Sequence, residues 1–392
     1  MSYNNTDWVN NPSGQLDQFI EQVSAETNIK DWPNAQSVEQ NVLVYDGEAI
    51  RAAAADTHKS IELKREWATA LLDGPGIVAF KNAIPDKEVI DETNQLFADI
   101  MRKQRETGEG QGDHFAKPGA NDRIWNALEK HCVANPDSFA RYYANDCIAM
   151  VSQAWLGRGY QVTAQVNQVN PGGEAQLAHR DYHLGFMSPE QAQAFPAHVH
   201  LMCPTLTLQG AVAHCDMPLE SGPTLYLPYS HKHKEGYIVF GQQEYQDYFN
   251  QNRKQLALEK GDMVFFNPAL MHAAGHNQSK DIHRLANLLQ VSSAFGRSIE
   301  AVNRSRMLSH LYPTLLQLSS DAKVSKQHMS NIIAASAEGY AFPTNLDTDL
   351  PVGGLAPPSQ AELVNTALKE QLRPDDFNAK LQAQQKLKNE TH

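Results

Sequence analysis

The chain has 392 residues, 41% of them apolar, and a formal net charge of −12. The apolar fraction supports a substantial core and excludes a disordered polyelectrolyte. The acidic balance argues against a surface for nucleic acid or anionic membrane, which needs clustered Lys and Arg. There is no run of about eighteen apolar residues, and the first residues carry no secretory pattern. Cys132, Cys147, Cys203 and Cys215 show no CxxC spacing, so the expectation is a cytoplasmic protein with reduced thiols.

Residues 1–70 read as a polar, Asn- and Gln-rich extension that wraps the surface, anchored by Val42, Leu43 and Val44. Ile77-Val78-Ala79-Phe80 follows a Gly-Pro-Gly turn and predicts a short buried strand. Pro85 and Asp86 then open a helix, with Val89, Ile90, Leu96, Phe97, Ile100 and Met101 at helical spacing. "ETGEGQGDHF", residues 106–115, is a polar, Gly-rich break, and 121–155 read as mostly helical.

From about residue 160 the pattern changes. Short apolar or alternating runs recur between turn signals: "YQVTAQVNQV", "HVHLMCPTLTLQGAVA", "PTLYLP", "GYIVF", "DMVFF" and "LANLLQVSSAF". They predict an antiparallel sandwich or barrel. Helical spacing returns after 300 in "VNRSRMLSHLYPTLLQL" and "QAELVNTALKEQL", and a polar tail begins near 375. The organisation is α+β, mainly β with helical flanks: an extension over 1–70, a core domain over 71–300 and a helical extension over 301–392.

The chemistry concentrates in "EAQLAHRDYHLGF", residues 174–186. In an extended segment, residues i and i+2 share a face, roughly 7 Å apart. His179 and Asp181 therefore point the same way while Arg180 points away. A second histidine completes a 2-His-1-carboxylate facial triad, the ligand set that leaves cis positions open on Fe(II). His272 is the best donor, because it follows the apolar strand Met263–Phe266 and the Pro268 turn. Arg284 lies twelve residues further on and opens another apolar strand. It suits the far carboxylate of a dicarboxylate cosubstrate, since a guanidinium forks onto a carboxylate and stays charged when buried.

Other histidines compete. His276, in "GHNQS", is the rival to His272 and reads as a solvated turn residue. His183, Arg180 and His214 are candidates for lining a substrate pocket. His198 and His200 ("HVHL") carry the His-x-His pattern of cupins and zinc hydrolases and offer a different metal site. His231 and His233, in "SHKHK", read as a solvated loop.

Three separated segments, "HRDYH", "ESGPTLYLPYSHK" and "GDMVFFNPALMHAAGHNQSKDIHR", resemble the phytanoyl-CoA dioxygenase family of Fe(II)/2-oxoglutarate oxygenases, and "GPGIVAFKNAIPDKEVID" resembles the opening of its domain. The resemblance spans 74–295. It implies a double-stranded β-helix (jelly-roll, cupin-like) core, Fe(II) on His179, Asp181 and His272, and 2-oxoglutarate held by Arg284. Gln165 and Asn167, on one face of "TAQVNQV", are the further cosubstrate contacts it suggests. The implied reaction uses O2 to hydroxylate or otherwise oxidise a small molecule, releasing succinate and CO2.

Two positions depart from the family pattern. Ala274 stands where some members carry a hydroxyl, and Tyr229 where glycine is frequent. The carboxylate of Asp181 separates the chain from halogenases, which carry a small residue there, and favours hydroxylation or desaturation. The competing class is a β-helix protein that binds a small molecule without redox chemistry. The helical flanks either close the pocket or form a homodimer interface.

Overall fold

A computed structural model describes residues 15–108, 119–185, 187–321, 324–351 and 353–389. Most of the polar break at 106–115 lies outside them. The strands are β1 (Ser37–Glu39), β2 (Val42–Asp46), β3 (Ile77–Lys81), β4 (Asn121–Ile124), β5 (Gln161–Val169), β6 (Thr207–Ala213), β7 (Leu225–Leu227), β8 (Lys254–Gln255), β9 (Met263–Phe266), β10 (Met271–Ala273) and β11 (Arg284–Ser292). Among the described residues they form an eight-stranded sheet, ordered β1-β2-β3-β9-β6-β11-β5-β4, and a three-stranded sheet, β10-β7-β8.

Strand periodicity explains why both sheet faces are buried. On β3 and β9, Val78, Phe80, Met263 and Phe265 face an outer helical layer, while Ile77, Ala79, Val264 and Phe266 face the small sheet. Apolar on both sides, these strands read as continuous runs. β5 differs: Val162, Ala164 and Val166 face the helices, and Thr163, Gln165 and Asn167 take the opposite, inward face. Helix α1 (Leu16–Val23) packs against the small sheet through Phe19 and Val23, whereas the helical layer includes α2 (Gly47–Ala54), α3 (Thr57–Leu72), α4 (Lys87–Thr107), α5 (Ala127–Ala134), α6 (Pro136–Tyr143) and α7 (Asp146–Leu156).

Residues 37–72 are part of this core rather than a surface wrap. β2 pairs parallel with β3, Val44 opposite Ala79. Asp46 accepts hydrogen bonds from the Glu48 and Ala49 amides and caps α2. Trp67 on α3 is fully buried, edge-on to Tyr45 at 5.8 Å. The polar composition of this stretch lies on the outer faces of α2 and α3. The stretch 121–155 begins with the edge strand β4, which pairs with β5 in register Arg123↔Asn167, and only then becomes helical.

Two predicted strands are helices: Ala197–Met202 holds "HVHL", and Gly236–Val239 holds most of "GYIVF". Runs this short carry no decisive period. In the C-terminal extension, Met307, Leu308, Leu311, Tyr312 and Leu315 join the outer-layer core, away from the space between the sheets. The tail is helical over Pro374–Asn389, with Phe377 stacked on Tyr312 at 3.9 Å.

Candidate metal centre

His179 and His272 are held together by their backbones before their side chains meet. They form an isolated antiparallel bridge: the His179 amide donates to the His272 carbonyl at 2.9 Å, and the His272 amide returns the bond at 3.0 Å. The Asp181 amide donates to the Pro268 carbonyl at 3.0 Å. Four backbone positions of two distant segments are thereby fixed, and alternation sends the side chains of His179 and Asp181 to one side.

The imidazoles are oriented the same way. His179 Nδ1 lies 2.9 Å from the Leu177 carbonyl, and His272 Nδ1 lies 2.8 Å from the Leu270 carbonyl. A carbonyl accepts only, so Nδ1 carries the proton in each ring and the lone pair sits on Nε2. Asp181 Oδ1 is 3.7 Å from His179 Nε2, and Oδ2 is 3.7 Å from His272 Nε2. One ligand atom from each residue lies within 4.8 Å of the other two. Gln209 Nε2 donates to Asp181 Oδ2, and the Tyr237 hydroxyl donates to the Asp181 carbonyl at 3.0 Å.

This donor set fits a divalent cation. Asp181 Oδ1 is buried and has no hydrogen-bond partner. Two nitrogen lone pairs and a bare carboxylate oxygen facing one another repel unless a cation sits among them. Burial, reinforced by neighbouring His179, holds His272 well below the ordinary histidine range, so it is neutral as a ligand must be. Two imidazoles and one carboxylate are the donors of non-haem Fe(II) sites.

Arg284 begins β11 and is 6% exposed. Its Nη1 donates to the Ser221 carbonyl at 3.1 Å and the Gly275 carbonyl at 3.3 Å. Among the described residues no carboxylate pairs with it. Burial lowers its pKa to about 10, which leaves it charged at neutral pH. A buried cation with only carbonyl partners has no charge to oppose it and can accept a carboxylate. Tyr226 on β7 pairs in register with His272 and lies near enough to Arg284 to feel its charge. Sequence reasoning missed it, although Leu225, Tyr226 and Leu227 alternate as a strand.

On the inward face of β5, Gln165 lies opposite Leu288 and Asn167 opposite Ala286. Gln165 Oε1 accepts from Arg123 Nη2 at 2.7 Å, and Arg123 stacks over Trp125 at 4.3 Å. Arg123 was hidden by the helical reading of 121–155. His183 is half-buried, with Nδ1 2.8 Å from Thr207 Oγ1.

Arg180 and His214 are not brought to this cluster. Arg180 is buried on the far side, donating to the His233 carbonyl at 3.1 Å and to the Ser230 carbonyl. It ties down the loop 230–236. His214 lies among the helices, with Nε2 2.8 Å from the Tyr142 hydroxyl and Nδ1 2.6 Å from Asn94 Oδ1.

His198 and His200 sit two apart on a helix, so their side chains diverge, one exposed and one buried against Tyr182 and Tyr237. They cannot share a metal. His276 is exposed. His231 and His233 are not solvated: His231 Nε2 is 3.1 Å from the Leu72 carbonyl, and His233 is packed edge-on against Phe19. Tyr229 adopts φ +68°, a left-handed conformation that suits glycine, and its hydroxyl lies 2.9 Å from Thr27 Oγ1.

Two facing sheets with a His-x-Asp…His cluster at their junction make a double-stranded β-helix protein with a candidate metal centre. The phytanoyl-CoA dioxygenase (PhyH) family pattern matches residues 63–286. The chain belongs to that family of iron- and 2-oxoglutarate-dependent enzymes. No curated protein is matched in sequence.

Solved structures show weaker likeness. The α-ketoglutarate-dependent epimerase SnoN of nogalamycin biosynthesis has a TM-score of 0.44 and 17% identity over 60% of this chain and 82% of its own. The carbocyclase SnoK of the same pathway has 0.43 and 20%, over 60% and 86%. HygX from Streptomyces hygroscopicus, crystallised with nickel and 2-oxoglutarate, has 0.40 and 14%, over 59% and 89%. No helix among the described residues is long and apolar enough to cross a membrane.

Proposed function

We propose that the protein hydroxylates, or otherwise oxidises, a small-molecule substrate, with Fe(II) on His179, Asp181 and His272 and the distal carboxylate of 2-oxoglutarate on Arg284. The observation that carries this reading is the convergence of three metal-ligand atoms within 4.8 Å beside a buried cation that no described carboxylate neutralises. When bound, iron and 2-oxoglutarate supply an oxidant from O2, and 2-oxoglutarate leaves as succinate and CO2.

The residues of the chain do the rest. Gln209 turns the Asp181 carboxylate by donating to Oδ2, which leaves Oδ1 facing His179 without a hydrogen-bond partner. The Leu177 and Leu270 carbonyls fix both histidine tautomers. The apolar block of Val42, Val44, Ile77, Ala79, Val264, Phe266 and Leu270 keeps water from one end of the space between the sheets. Gln165 and Asn167 stand on the wall beside Arg284 as further cosubstrate contacts, and His183 stands two residues beyond Asp181 as a pocket residue.

A non-redox binding role leaves the orphaned Asp181 oxygen and the unpaired Arg284 without purpose. The deciding experiment is anaerobic addition of Fe(II) and then 2-oxoglutarate to the apoprotein. A visible metal-to-ligand charge-transfer band, absent in His272→Ala, supports the oxygenase. Well-folded protein that gives no band sinks it.

A further inference from the structure

The inward faces of β5, β6 and β11 are polar where a barrel interior is ordinarily apolar, and their polarity has a sign. Gln209 shows it best. Its Nε2 donates to the Asp181 carboxylate, which accepts only, so the amide orientation is fixed and Oε1 is an acceptor. That Oε1 is buried and unpartnered. Gln290 is the residue directly opposite Gln209 on β11, and in the orientation its amide takes here Oε1 is also buried and unpartnered. Thr163, opposite Gln290 on the other side, does not help, because its hydroxyl donates to the Gln290 backbone carbonyl at 2.7 Å. Further along the same face, Asn167 Oδ1 is buried and bare as well.

A buried acceptor without a donor costs stability, and a ligand that brings the donor removes the cost. 2-Oxoglutarate cannot bring it. Its carboxylates and 2-oxo group are acceptors, so it leaves the Gln209 and Gln290 oxygens as it found them. Opposed residues on antiparallel strands have Cβ atoms about 5 Å apart, so one small group can reach both amides. The pair also adjoins Asp181, hence the reacting position.

We propose that Gln209 and Gln290 read the substrate, and that the substrate carries a hydrogen-bond donor, a hydroxyl or an amine, beside the carbon that is oxidised. The proposal rests on the oxygenase reading above. Around its α- and β-carbons an acyl thioester offers C–H bonds and a carbonyl acceptor, and would leave both amide oxygens bare. A hydroxylated or amino compound satisfies them. A site built to hydrogen-bond such a group rejects the analogue lacking it far more strongly than an apolar pocket does.

Gln290 carries the test because it touches no metal ligand, whereas altering Gln209 disturbs Asp181. The full chain is loaded anaerobically with Fe(II) and 2-oxoglutarate, and the charge-transfer band is recorded first for wild type, Gln290→Leu and Gln290→Glu. Failure of the band in folded wild type overturns the oxygenase reading. With the band present, ligand-observed NMR follows a fragment set divided equally between compounds bearing a hydroxyl or amine and donor-free compounds of equal size. Relaxation by the paramagnetic iron reports which fragments enter the pocket.

The expected result is that the relaxed fragments are donor-bearing. Gln290→Leu should weaken them about tenfold or more with the band unchanged, and Gln290→Glu, which keeps the acceptor, should retain the amines. Three results overturn the proposal: pocket binders that are mainly donor-free, no donor-bearing fragment relaxed by iron, or equal affinities in wild type and Gln290→Leu.

Discussion

Replacing Arg284 by Gln removes the charge that the proposed site offers the distal carboxylate of a dicarboxylate while keeping an amide donor. The guanidinium is 6% exposed and donates to the Ser221 and Gly275 carbonyls, with no described carboxylate partner. At an effective dielectric constant of about 20, a carboxylate about 4 Å from a guanidinium is stabilised by about 4 kcal/mol. Desolvation of the incoming carboxylate and the donor kept by Gln reduce the net loss to about 3 kcal/mol, a weakening of 2-oxoglutarate of about a hundredfold. Arg284→Lys keeps the charge but not the fork and should lose about tenfold.

The assay is anaerobic titration of the iron-loaded protein with 2-oxoglutarate, read by the charge-transfer band. Pyruvate provides the control, because it has the same 2-oxo acid chelate and no distal carboxylate. Its affinity should be the same in wild type and variant. The assignment is refuted by 2-oxoglutarate affinity within about threefold of wild type, or by an equal loss for pyruvate, since either result removes the coupling between the two carboxyl-binding ends.

His272→Ala and Asp181→Ala should each abolish stoichiometric iron binding, measured by metal analysis after desalting. Retained iron in either variant would remove that residue from the ligand set. Trp67→Ala should cost about 3–5 kcal/mol in a denaturant melt, because Trp67 is fully buried against Tyr45 and Phe80. A loss under about 1 kcal/mol would make residues 37–72 peripheral.

Stability should also fall in mild acid. Burial holds His131, His214 and His231 neutral, with pKa values lowered to about 3. The unfolded chain protonates them near pH 6.5 and the folded chain does not, so the unfolded state binds more protons and stability drops as pH falls. Between about pH 7 and pH 5 each contributes a loss of about 2 kcal/mol. His131→Gln should flatten that dependence by one histidine's share, and an identical slope in both proteins would contradict it.

The grouping of His179, Asp181 and His272 was legible because its logic is local. Alternation aligns the first pair, and a strand followed by a proline turn marks the third. The inward face of β5 was legible for the same reason, since Gln165 and Asn167 alternate with Val166. What escaped depends on partners far away in sequence. Val42–Tyr45 looks like an anchor in a polar tail until β3 provides a parallel neighbour and α3 covers it.

Arg123 belongs to a four-residue edge strand whose only sequence mark is a helical neighbourhood. His214 follows β6 by one residue, and that single step puts it on the helical face instead of the inward one. Arg180 and His233 are polar residues in a polar stretch, and nothing local says that the loop 230–236 folds over the guanidinium. Adding a Cβ at Gly236 would overlap that guanidinium, so a small residue there is part of the enclosure.

The reciprocal backbone bonds between His179 and His272 have a consequence for metal supply. These bonds are between backbone groups and do not need the ion, so the three side chains should be brought together before any ion binds. Little folding free energy is then tied to occupancy, and the empty protein should keep its shape and accept ions reversibly. A preformed site of two nitrogens and one oxygen has no means of its own to prefer iron, and the intrinsic ranking of divalent ions favours nickel, copper and zinc over it. Which ion sits in the socket is therefore decided by what the surroundings deliver, and protein purified without iron in the medium should carry a tighter-binding, inactive substitute.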